Sequence, residues 1–283
     1  MFSVTETGCL YVVATPIGNL ADFSDRGREV LAGADCIAAE DTRHSGKLLA
    51  HFGIRRPLLS YHDHSGEGAR EKLLQMLRDG ASVALISDAG TPLISDPGYA
   101  LVKAAREEGI EVLPIPGPSA LTAALSVSGL PTDRFLFAGF LPAAQAGRRK
   151  RIEELKDESA TWILYESSHR ILDCVDDLIA ILGSERRIFI ARELTKQFES
   201  HFPGALEQAA AWLRADANHL KGEFVLILAG RESNPGEDER LPEALRIVAL
   251  LQNDLPLPKA ASIAAKITGL RKNEVYRAAV RTT

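Results

Sequence analysis

The chain has 283 residues, of which 46% are hydrophobic and 25% charged, the balance of a soluble globular protein. No apolar run approaches the roughly 20 residues of a membrane helix, and residues 1–6 lack the basic start and apolar core of a signal peptide, so a cytoplasmic protein is expected. Cys9, Cys36 and Cys174 are far apart and match no metal spacing, and Cys36, in the strand-like run Cys36-Ile37-Ala38-Ala39, reads as a buried, reduced thiol.

Charge is unevenly spread. Residues 241–283 hold seven basic against three acidic side chains, a net of +4. The whole chain carries −5, so the other residues carry −9. An acidic body with a small basic tail points to a polyanionic partner reached by the tail; a merely solvated helix face is the plain alternative.

In chain order, residues 10–14, 36–39, 58–60, 83–87 and 112–115 read as strands. They alternate with amphipathic helices over 24–32, 44–52, 69–79 and 99–108, and a small-residue helix closes the half at 120–127. This alternation predicts a parallel sheet with helices on both faces. A second α/β unit follows Gly129-Leu130-Pro131, with strands near 134–138, 161–165, 187–191 and 223–229 and helices near 149–156, 170–182 and 206–214. The expected division is an N-terminal α/β domain at 1–129, a second at 130–230, a polar linker at 231–240 and a helical tail at 241–283. Helices near 242–252, 259–268 and 272–280, the last two joined by Thr268-Gly269-Leu270, have helix-turn-helix spacing.

The densest functional signal is Ser87-Asp88-Ala89-Gly90-Thr91-Pro92-Leu93-Ile94-Ser95-Asp96-Pro97-Gly98, between a strand and a helix. Open α/β sheets bind ligands at such strand ends. Thr15-Pro16-Ile17-Gly18-Asn19-Leu20 follows the first strand, and Pro116-Gly117-Pro118-Ser119 follows the fifth. None is a GxGxxG fingerprint or a phosphate-binding P-loop, which argues against nicotinamide and triphosphate ligands. Tyr165-Glu166-Ser167-Ser168-His169-Arg170, Ala191-Arg192-Glu193-Leu194-Thr195-Lys196 and Lys221-Gly222-Glu223 mark polar strand ends of the second unit, which could face these loops across a cleft. His62-Asp63-His64 could suggest a metal, but no third ligand cluster accompanies it, and no metal is expected.

With Ala39-Glu40-Asp41-Thr42-Arg43 and Gly139-Phe140-Leu141-Pro142, these blocks resemble the tetrapyrrole-methylase-like class of S-adenosylmethionine methyltransferases, and within it the 2′-O-ribose methyltransferases of a cytidine in 16S rRNA. The resemblance spans about residues 10–230 and the helical tail. It implies two α/β domains with S-adenosylmethionine in the cleft between them, a homodimer, and 16S rRNA within the small ribosomal subunit as substrate. By position it implies cofactor contacts from Pro16, Asp88, Ala89, Gly90, Thr91, Ile94, Ser95, Ser119 and Ala120, and from Tyr165, Glu193, Leu194, Thr195 and Gly222 of the second domain.

A ribose hydroxyl is a weak nucleophile, so a group that accepts its proton is sought. Glu223, Glu166, Lys196 and Lys221 are the candidates, a lysine serving only if its pKa is depressed; Asp88 is an outsider. Arg43, Arg148, Arg149, Lys150, Lys259, Lys266, Arg271, Lys272 and Arg277 are the expected RNA contacts, against the plain reading of solvated helix faces. Two other readings share the features. One is a small-molecule methylase of a tetrapyrrole precursor, which uses the same scaffold. The other is a DNA-binding regulator with a ligand-sensing body.

Overall fold

The computed structural model describes residues 8–62, 66–231 and 240–282. Residues 1–6, Asp63 and His64 of the possible metal motif, and residues 232–239 of the expected linker lie outside them. The chain divides into two compact units, Met1–Gly230 and Arg231–Thr283.

The first unit holds two five-stranded sheets. In the first, β1 (Cys9–Val13), β2 (Cys36–Ala39), β3 (Leu58–Ser60), β4 (Val83–Ile86) and β5 (Glu111–Ile115) are all parallel, in the order β3-β2-β4-β1-β5. Alternation sets the layers, because neighbouring residues of a strand point to opposite faces. Val83 and Leu85 join Leu10 and Cys36 in a core shared with Leu73 and Leu77 of α3 (Gly66–Arg78) and Leu101 and Ala105 of α4 (Tyr99–Glu107). Ala84 and Ile86 turn the other way, to Leu31 of α1 (Asp25–Gly33) and Leu49 of α2 (Thr42–His51). The chain leaves β1 and β4, which are neighbours, toward opposite faces, so their carboxyl ends form a topological switch point where a crevice opens.

The second sheet has the order β6-β7-β10-β8-β9. Its strands are β6 (Phe135–Phe140), β7 (Thr161–Ser167), β8 (Arg187–Arg192), β9 (Ser200–Ala205) and β10 (Glu223–Leu228). Only β6–β7 is parallel; the other pairs are antiparallel, unlike the first half. β9 carries no strand expectation. It is an edge strand with Pro203 and Gly204 inside it, residues that an edge tolerates and a sequence pattern reads as loop.

Trp162, Leu164, Phe224 and Leu226 face α6 (Gln145–Leu155), α7 (Ile171–Leu182) and α8 (Leu206–Ala215). Ile163, Val225 and Ile227 face Leu121, Ala124 and Leu125 of α5 (Ala120–Val127). The last helix of the first half therefore covers the inner face of the second sheet, and the two halves share a core.

The second unit comprises α9 (Leu241–Leu251), α10 (Leu257–Thr268) and α11 (Lys272–Thr282). Its core is small: Ala244, Val248, Ala260, Ala261, Ala264, Ala265, Val275 and Ala279. Gly269 ends α10 in the left-handed region, φ 73°, as the tight turn requires.

Candidate active site

Four loop ends are tied together at the carboxyl edge of the first sheet. Thr15 and Gly90 exchange backbone hydrogen bonds of 2.8 and 3.1 Å, which pin the loop after β1 to the loop after β4. Thr91 Oγ1 donates to the Pro118 carbonyl at 3.1 Å, reaching the loop after β5. The Asp41 backbone N–H donates to Asp88 Oδ1 at 3.1 Å, reaching the loop after β2. Among the described residues, four that are not glycine have positive φ: Leu93, Ser95, Glu193 and Thr195. They fall in two loops, one from each half. Such conformations cost of order 1–3 kcal/mol each and cluster at ligand sites.

Between the halves lies a cavity of about 380 Å³, within the range of small-ligand sites. Of the expected cofactor contacts it gathers Ala89, Gly90, Thr91, Ile94 and Ser95, the start of α5 at Ser119 and Ala120, and Tyr165, Leu194 and Gly222. The Tyr165 hydroxyl accepts a hydrogen bond from the Leu121 backbone N–H at 3.1 Å, so this side chain fixes α5 to the second sheet. Gly222 has φ +103°, and a side chain there would meet Glu193 Cγ at 2.5 Å. Ile17, Asp96, Phe140 and Val225 also line the cavity; the first three lie within marked sequence blocks without being named as contacts, and Val225 reads from sequence as strand core. Asp96 is half-buried. Burial pushes its carboxyl up to about 6; a Ser87 hydrogen bond opposes this, and the nearby Glu40 and Asp88 carboxylates add to it.

A second cavity, of about 450 Å³, adjoins the first. The two share Ile17, Ala89 and Glu223. Pro16 and Asp88, also expected on the cofactor, line this second cavity. Lys196 lines it as well, and its Nζ bridges Glu193 Oε1 at 2.9 Å and Glu223 Oε2 at 2.8 Å. Burial opposes the Lys196 charge, but hydrogen bonds from Lys196 to Glu223 and Glu193 outweigh it and hold its pKa above the ordinary lysine value. The condition for lysine as a base is thus not met here. Glu193 lines neither cavity. Its carboxylate takes Lys196 and the Glu223 backbone N–H, while Thr195 anchors the same turn by donating its N–H to Glu199.

Several expected residues have other partners. Glu166 lines the first cavity, but it shares the strand face of Trp162 and Leu164, and its carboxyl is buried and paired with Arg170 at 2.7 Å. Period-two alternation turns it away from the face that carries Tyr165. Arg148 is also buried, paired with Asp177 at 2.7 Å, and Arg149 joins the same carboxylate at 2.5 Å. Burial alone would raise Asp177, yet the two guanidinium groups hold it below the usual carboxylate range. Lys150, next in the chain, is exposed, as is Arg149 itself. Lys221 is exposed, donates to Asn218, and lines neither cavity. Arg43 is exposed and pairs with Asp41. In the second unit Lys259, Lys266, Arg271, Lys272 and Arg277 are all exposed, and Arg271, Lys272 and Arg277 line a groove at the start of α11. The described residues hold no cluster of three or more His, Cys, Asp or Glu suited to a metal, and no helix among them is long and apolar enough to cross a membrane.

Residues 9–210 match the family of tetrapyrrole (corrin/porphyrin) methylases, and residues 238–282 match the RsmI C-terminal HTH domain. Among solved structures, diphthine synthase is similar at TM-score 0.59 and 19% identity, covering 78% of this chain and 90% of that one. The methyltransferase CobJ is similar at 0.57 and 20%, covering 81% and 98%. At such identity these two share the fold alone. Curated relatives are far nearer. The ribosomal RNA small subunit methyltransferase I of Escherichia coli O157:H7 is 52% identical over 274 residues, 96% of this chain and 95% of that one. Its Pseudomonas aeruginosa counterpart is 50% identical over 276 residues, 98% of each. With two sheets around one cavity and a helical tail matched throughout, the chain belongs to the tetrapyrrole (corrin/porphyrin) methylases and, within them, to the ribosomal RNA small subunit methyltransferase I family.

Proposed function

We propose that this protein is a cytoplasmic, homodimeric enzyme that methylates the ribose 2′-oxygen of a cytidine in 16S rRNA of the small ribosomal subunit, with S-adenosylmethionine as donor. The observation that carries the reading is the pair of adjoining cavities with Glu223 on their common wall. The first cavity fits the cofactor. Ile17, Ile94, Leu194 and Val225 give it apolar walls for an adenosine, and Asp96 offers a carboxylate to a cation. Gly90, φ +84°, keeps the backbone close to its mouth. Residues 1–129 and 130–230 supply its two sides.

When bound, S-adenosylmethionine supplies a methyl group on a sulfonium, and the sulfur leaves as a neutral thioether. No metal is required for that departure, so the protein's work is alignment and proton removal. A hydroxyl entering from the second cavity would give up its proton to the Glu223 carboxylate on the common wall. Lys196 stays protonated and orients that carboxylate through the 2.8 Å contact. Lys221 and Glu166 take no part in the chemistry. Tyr165, Glu193 and Thr195 hold the walls in place.

The reading over a tetrapyrrole substrate is supported by roughly half identity to ribosomal RNA methyltransferases through the helical tail, whose basic residues are exposed. Labelled methyl is offered to small subunits that lack the modification, and the RNA is then hydrolysed in alkali. Label in a single alkali-resistant dinucleotide is expected, because the free 2′-hydroxyl is the group that attacks in strand cleavage. Label on a base would overturn the ribose mechanism. Label on a tetrapyrrole precursor and none on RNA would overturn the substrate.

A further inference from the structure

The second cavity has one wall that the mechanism above does not use. Helix α2 presents His44, Lys47, Leu48 and His51 to it, spaced i, i+3, i+4 and i+7, which puts them on one face. Ser45 and Leu49 turn instead to the protein interior. His44, Lys47 and His51 are all exposed, and Lys47 has no ion pair among the described residues. The cavity also holds two acids: Asp88, which accepts the Asp41 N–H, and Glu223, which pairs with Lys196 on the same lining. A row of donors, with Lys47 unpaired by any carboxylate among the described residues, thus faces this cavity, in a body whose overall charge outside the tail is −9. Local fields of this kind concentrate anions against an unfavourable net charge.

We propose that this face of α2 is a phosphodiester subsite, with Lys47 as the positioning residue that holds the phosphate 3′ to the target ribose. The proposal rests on the ribose-methylating reading above. Its chemistry follows from the nucleotide itself. The 2′-oxygen and the 3′-phosphate sit on adjacent carbons of one ribose, so a hydroxyl placed at Glu223 carries a phosphate into the surrounding few ångströms. The cavity that shares Glu223 is where that phosphate falls, and Lys47 supplies a point charge with three donors. His44 and His51 add ring N–H donors to the phosphate oxygens on either side. Arg43, the expected contact on this helix, does not line the cavity and is paired with Asp41.

The test uses the full-length protein, unmodified small ribosomal subunits and labelled S-adenosylmethionine. Lys47→Ala, Lys47→Arg and, as a surface-charge control, Lys103→Ala are compared with wild type. For Lys47→Ala the KM for subunits rises about tenfold, and the dependence of log kcat/KM on log salt becomes shallower by about 0.7, the loss of one single-strand phosphate contact. S-adenosylmethionine affinity, measured by calorimetry, stays within about twofold, which also reports that the fold is intact. Lys47→Arg recovers most of the loss, and Lys103→Ala matches wild type. An unchanged KM and salt slope in Lys47→Ala, with ribose methylation intact in wild type, would overturn the subsite alone. Loss of cofactor affinity in step with KM would overturn it too, by making Lys47 part of the cofactor wall. If wild type methylates a carboxylated tetrapyrrole and leaves subunits unlabelled, the ribose reading fails and takes the subsite with it.

Discussion

The two halves of the first unit contribute to one site in different ways. The parallel sheet offers loops: beyond its strand ends Gly90, Thr91 and Ser95 line the cavity, Gly90 and Ser95 with left-handed backbone. The mixed sheet offers a face: Tyr165 and Val225 pair within strands, and Glu223, two residues before Val225, opens β10 on the same side. Loop sites tolerate changes of side chain but not of backbone. Face sites depend on register, since a slip of one residue sends every side chain to the other side. The second half also keeps a buried charge network on its opposite face, where Arg148, Arg149 and Asp177 meet beside α6 and α7.

The largest expected effect tests that opposite face. Arg148→Ala removes one partner of a buried ion pair and should cost about 3 kcal/mol, the low end for such changes because Arg149 remains. Denaturant unfolding measures it. At a temperature where the variant is folded, the KM for ribosomal subunits should match wild type; a raised KM with undiminished stability would make Arg148 an RNA contact after all. Next comes the cavity face. Glu223→Gln removes the proposed proton acceptor while keeping the size of the side chain, and kcat should fall about 100-fold with cofactor affinity nearly unchanged. A fall of less than about threefold would reduce Glu223 to a positioning group for Lys196.

The smallest effect belongs to the loop side. Burial lifts Asp96 to about 6, so in the free protein the group takes up its proton as pH drops through 6. A cationic ligand favours the carboxylate, lowers that pKa and releases a proton. Affinity for S-adenosylmethionine should therefore be about fourfold weaker at pH 5.5 than well above pH 6. Asp96→Asn should bind more weakly and lose this dependence; a variant that keeps the wild-type slope would assign it to another group. The stability sign is opposite. A carboxyl whose folded pKa exceeds its unfolded value destabilises the folded state progressively as pH rises from about 3.8 to 6.

Strand and helix order, the loops at 15–20, 87–98 and 116–119, and the three-helix tail were legible in the sequence. Each is a local matter: apolar periodicity sets the element, and clustered Gly, Pro and Asp set the turn. Edge strand β9 escaped because Pro203 and Gly204 break the pattern that defines a strand. Val225 looks like any core residue, and His44, Lys47 and His51 look like any solvated helix face. Only the tertiary structure decided which way Glu166 points, that Arg148 turns inward, and that Pro16 and Asp88 line the second cavity. The reason is physical. Backbone conformation answers mainly to near neighbours in the chain, whereas the surroundings of a side chain depend on elements brought together from distant positions. Asp177 finds Arg148, and Glu223 finds Lys196, only once the sheets and helices have packed.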